Sequence, residues 1–113
     1  MTRLEWAGVT FAIRASDISA LAEQPGGEAL VRDYFRDLGP AALEHLRESV
    51  GGIPLRSEPI VRIDGPQDDA LQGPIYALSV SAQVDVDDLP VGSTMRAAYD
   101  RHGVLTTEPG FIL

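Results

Sequence analysis

The chain has no cysteine among its 113 residues. That removes disulfide staples, thiolate metal sites and thiol nucleophiles together, and leaves the redox compartment open. Lysine is missing too: all nine bases are arginine, set against 17 acids for a net charge of −8. Such a surface repels phosphate backbones, so groove binding to nucleic acid is not expected. An acidic wall past which DNA slides, or a basic protein partner, is compatible with it. No run of about 18 apolar residues occurs, and Met1-Thr2-Arg3-Leu4-Glu5-Trp6 holds no apolar segment of signal-peptide length. The expectation is a protein made in the cytoplasm, with no membrane involved.

Chemical motifs are equally scarce. Ser49, Ser79, Ser81 and Ser93 sit in no G-x-S-x-G elbow, and Gly26-Gly27 and Gly51-Gly52 read as helix stops rather than phosphate cradles. His45, beside Glu44, reads as a polar-face helix residue, and His102 as a favourable partner of a helix dipole. Asp85, Asp87 and Asp88 form a D-x-D-D cluster of hard oxygen donors, but without the glycine and distant glutamate of a calcium loop. The cluster reads as a solvated strand end, and so does Asp68-Asp69. No catalytic, cofactor-binding or metal residue is assigned, and the chain is expected not to be an enzyme.

What is present describes one domain: 44% hydrophobic and 23% charged residues over a length that suits a single core. Val9, Phe11 and Ile13 alternate with Thr10 and Arg14, as in a half-buried strand. Ser16 or Asp17 then caps a short helix that Pro25-Gly26-Gly27 ends. From Glu28, the residues Leu30, Val31, Tyr34, Leu38, Ala42, Leu46 and Val50 trace an amphipathic helix, with a kink or break expected at Gly39-Pro40. Glu58 to Asp64 reads as a strand and 65–69 as an exposed turn. The sharpest alternation is YALSVSAQVDV, residues 76–86. At about 3.3 Å per residue, that strand is expected to outrun its neighbours. Ser93 caps a last helix from Thr94 to His102, and Val104 to Thr107 reads as a further short strand. The order β-α-α-β-β-α implies an α+β fold: a small antiparallel or mixed sheet of three to four strands with helices on one face.

The chain closes on Pro109-Gly110-Phe111-Ile112-Leu113, an apolar ending for an acidic protein. Residues 1–108 read as the domain and 109–113 as an arm. Trp6, Phe111, Ile112 and Leu113 are the candidate subunit or partner interface, because apolar ends and a long edge strand are liabilities that a head-to-tail ring removes.

Two segments resemble a known group. Pro40-Ala-Ala-Leu-Glu-His-Leu-Arg-Glu-Ser-Val50 is similar to the helix-end segment of small neck and tail-completion (tail-terminator-like) proteins of long-tailed bacteriophages, where Pro-x-x-Thr-Gly-x-Leu-x-x-Ser-Ile is typical. Pro40, Leu46, Ser49 and Val50 match, while Leu43-Glu44 stand in place of Thr-Gly. Tyr76, Ala77 and Val80 match that group's Tyr-Ala-x-x-Val strand, although Ser81-Ala82-Gln83-Val84 replaces the Glu-x-Gly-Thr that follows. Ser16-Asp17-Ile18-x-x-Leu21 is also similar. The resemblance implies a cofactor-free virion structural protein, a homo-oligomeric ring, often of six copies, between head and tail. Tail-tube and head-connector proteins would be its neighbours, with DNA passing through unbound. Its place would be the host cytoplasm during assembly and then the virion. Two other classes stay open: an acidic monomeric inhibitor or immunity-type protein facing a basic partner, and a small enzyme using His45, His102 or Asp85 in a pocket.

Overall fold

The computed structural model describes residues 2–71 and 73–111, with side chains to Thr106. Strand β1 (Leu4–Arg14) leads into α1 (Ala15–Ala22) and α2 (Gly27–Ser49). Strands β2 (Ile60–Asp69) and β3 (Gly73–Asp85) follow, then a 3-10 turn, α3 (Thr94–His102) and β4 (Thr106–Phe111). The strands form one sheet in the order β2-β3-β1-β4. β1 and β2 run antiparallel to β3, and β4 runs parallel to β1. This is an α+β fold with a mixed sheet.

Alternation decides which face is core. Ala7, Val9, Phe11 and Ile13 of β1 oppose Ala82, Val80, Leu78 and Tyr76 of β3, and all but Tyr76 are fully or almost fully buried. The helices pack on that face: Leu38, Ala42 and Leu46 of α2 and Met95 of α3 join the core, and Ile18 of α1 packs against it. The opposite face carries Gly8, Thr10, Ala12, Ala77, Ser79 and Ser81, all small.

Helix ends follow their residues only in part: α1 opens after Arg14 with no side-chain cap, so Ser16 and Asp17 lie inside its first turn instead of capping it. Ser93 Oγ accepts from the Arg96 amide at 3.2 Å to open α3. Gly51 closes α2 at φ 73°, a left-handed conformation in which a side chain would be strained, and there its Cβ would also press on Pro90 Cγ at 2.7 Å.

Several expectations change. α2 runs unbroken for 23 residues through Pro40. Pro40 and Arg36, whose carbonyl loses its amide partner, both lie on the exposed side, where that carbonyl is open to solvent and the lost bond costs little. The 65–69 segment is strand rather than turn: β2 crosses Gly65-Pro66 on a register shift and resumes pairing from Gln67 to Asp69. β3 does not outrun its neighbours, because β1 is 11 residues long and matches it from Ile75 to Asp85. The exposed edge is therefore β2. Nor do Pro109-Gly110 break the chain from the domain: β4 continues beside β1, pairing Gly110 with Phe11 and Phe111 with Ala12. Ile112 and Leu113 lie outside the described residues, as does the Phe111 side chain.

The domain is drawn out, 54 × 29 × 20 Å, with a radius of gyration of 15.8 Å where a compact chain of this length has about 13 Å. Its accessible surface is 6930 Å², against about 6000 Å² for a monomer of this mass.

Candidate functional site

The unusual features of this molecule are at the two edges of the sheet. β2 pairs with β3 on one side only. Its residues from Ile60 to Asp68 are exposed, including Ile60 (46%), Val61 (46%) and Ile63 (43%). Val61 and Ile63 oppose Val80 and Leu78, so they belong to the helix-bearing face, yet both stay more than two-fifths exposed although Gly39 of α2 comes close to Val61. Ile60 and Arg62 oppose Ser81 and Ser79 on the helix-free face. An edge strand with this much aliphatic surface is a template for another chain.

At the other side of the sheet, β4 pairs with β1 from Gly8 onward. The stretch Leu4–Ala7 beyond it is bordered by the 103–106 segment, and a groove lined by Leu4, Glu5, Trp6, Val104 and Thr106 lies between them. Leu4 is 45%, Trp6 49% and Val104 50% exposed. Trp6 is thus where an interface residue belongs, and Leu4 and Val104, which sequence reasoning missed, surround it. The missed signal is the alternation itself: Leu4 and Trp6 continue the even-numbered face of β1.

The residues shared with the phage group are mostly core. Leu46 and Val50 are fully buried with Val80, Ser49 Oγ donates to the His45 carbonyl at 2.8 Å, and Tyr76 packs at the core's margin. Ala77 is half-buried on the helix-free face and Pro40 is exposed. These positions carry packing, and the structure brings both segments to one core.

The chemical candidates sit in structural contacts. Asp85 is not a solvated strand end: it is buried, and its Oδ1 accepts from the amides of Asp87 at 3.1 Å and Arg3 at 3.4 Å, opening the 3-10 turn. Asp87 meets the Arg3 guanidinium at 3.1 Å and Asp88 meets Arg56 at 3.6 Å. Among the described residues no group of three or more His, Asp or Glu side chains is placed to hold a metal ion. The His45 ring stands edge-on to Phe11, centroids 5.1 Å apart, and His102 lies in the last turn of α3. No helix among the described residues is long and apolar enough to cross a membrane.

Tyr34 is held above its ordinary pKa of 10.0, first by burial and then by the negative charge of Asp17. A raised folded-state value contributes stability that is intact below the unfolded value and is lost as pH rises through the folded one. Stability should therefore hold up to about pH 10 and decline above it, and Tyr34→Phe should remove the tyrosine's share of that decline. Urea unfolding of both proteins at about pH 9 and about pH 11 checks this, and identical losses would contradict it.

Comparison with protein-family models, curated proteins and solved structures finds no match to this chain.

Proposed function

We propose that this chain is a non-enzymatic virion structural subunit, assembling head-to-tail into a ring that joins a phage tail tube to its head or ends the tube. One observation carries the reading: a single thin sheet exposes two different apolar patches at opposite edges, Leu4, Trp6 and Val104 on one side and Ile60, Val61 and Ile63 on the other. Unlike patches at opposite edges suit heterologous contacts, and a closed ring leaves neither exposed.

Charge fits the same role. Among the described residues, seven of the nine arginines lie within 4 Å of a carboxylate, and the net charge is −8. Few guanidiniums are left to grip phosphates, so DNA could pass a ring of this protein without being held. The partners on this reading are further copies of the chain, a tail-tube protein and a head connector. The test is the mass of the purified protein by light scattering or native mass spectrometry over a concentration series. A fixed multiple of the 12.1 kDa chain is expected. A monomer throughout would count against the ring and favour the acidic-inhibitor class.

A further inference from the structure

A ring needs two complementary surfaces on every copy. Resting on the assembly reading, we infer that the β1 end of one copy, at Leu4 and Trp6, seats against the β2 edge of a second copy, at Ile60 and Arg62.

Two features select this contact. The surfaces lie at opposite sides of the sheet order β2-β3-β1-β4, so each copy can use both at once. Register makes them compatible: Leu4 and Trp6 fall in line with Asp85 and Gln83, and Ile60 and Arg62 with Ser81 and Ser79, all on the helix-free face. Copies arranged around one axis keep that face in common. Leu4 and Trp6 then meet Ile60 and Arg62, and the guanidinium can lie over the indole. Arg62 is also free to turn outward, at 69% exposure. Arg62 meets Asp64 on its own strand in an exposed pair at 3.4 Å, a weak contact to exchange. The two surfaces are offset by four positions along β3, about 13 Å, so the strands incline to the ring axis as they do in closed sheets.

The absence of native cysteine makes the test clean. Leu4→Cys and Ile60→Cys, both at exposed positions, are purified as full chains, then oxidised separately and as an equal mixture. The expected result is a covalent dimer joining one of each variant, formed in the mixture and absent from either variant alone. Ile60→Cys linking to itself would mean a two-fold β2 contact and overturn the inference. No link in any sample, with native masses still showing an oligomer, would overturn this contact and leave the assembly reading standing. Monomers with no link would remove both. As a second readout, Arg62→Glu should weaken self-association about tenfold or more, and Arg62→Lys less. Equal affinity in all three proteins would also contradict the contact.

Discussion

Leu46→Ala should lower the free energy of unfolding by about 2–5 kcal/mol, a large part of the 5–15 kcal/mol typical of a domain. Leu46 is fully buried on α2, in one core with Phe11, Leu78, Val80 and Met95. Truncation removes its apolar transfer energy and leaves a cavity between helix and sheet that β1 and β3, paired along their whole shared length, cannot close. Leu30 on the same helix is 37% exposed, so Leu30→Ala should cost under about 1 kcal/mol. Chemical denaturation of both variants tests the assignment of faces, and comparable losses would mean that α2 is turned differently on the sheet.

Gly27→Ala should be nearly as damaging, at about 2–4 kcal/mol, through overpacking rather than a cavity. Gly27 is buried where α2 begins, and its amide donates to the Gln24 carbonyl at 2.8 Å. A Cβ there would run into the carbonyl group of Ala22 and stand 2.8 Å from its Cα. These are backbone atoms at the end of α1, so relief requires the two helices to separate. Gly26 makes the comparison: its φ is 73° with nothing within 4 Å of an added Cβ, so Gly26→Ala should cost only the left-handed strain of about 1–2 kcal/mol. If the order were reversed, the close approach of α1 and α2 would be wrong.

The faces of β3 and α2 were legible because their patterns are long and unmixed. Leu78, Val80, Ala82 and Val84 repeat every second residue, and Leu38, Ala42 and Leu46 every fourth. The reach of β1 was not: Ala7 and Gly8 are too small to mark an alternation, so the strand was legible only from Val9, although it begins at Leu4. Proline misled twice. Pro40 lies on the solvent side, where a lost bond costs little, and Pro66 lies on a free edge beside a register shift, where a strand tolerates it.

The candidate site was half legible. Trp6 stood out as an aromatic residue near an end. The β2 edge did not, because nothing local shows that Ile60, Val61 and Ile63 lie on an edge strand, paired on one side only and exposed on both faces. Asp85 misled in the opposite direction: an aspartate at a strand end reads as solvated until two amides are found on its carboxylate. Pairing order and helix reach are tertiary facts, and local pattern does not contain them.

The most direct measurement is electron microscopy of the purified full chain across a range of concentrations. The account predicts closed rings of head-to-tail subunits around an opening wide enough for a DNA duplex. Compact two-fold dimers, or single subunits at every concentration, would contradict it.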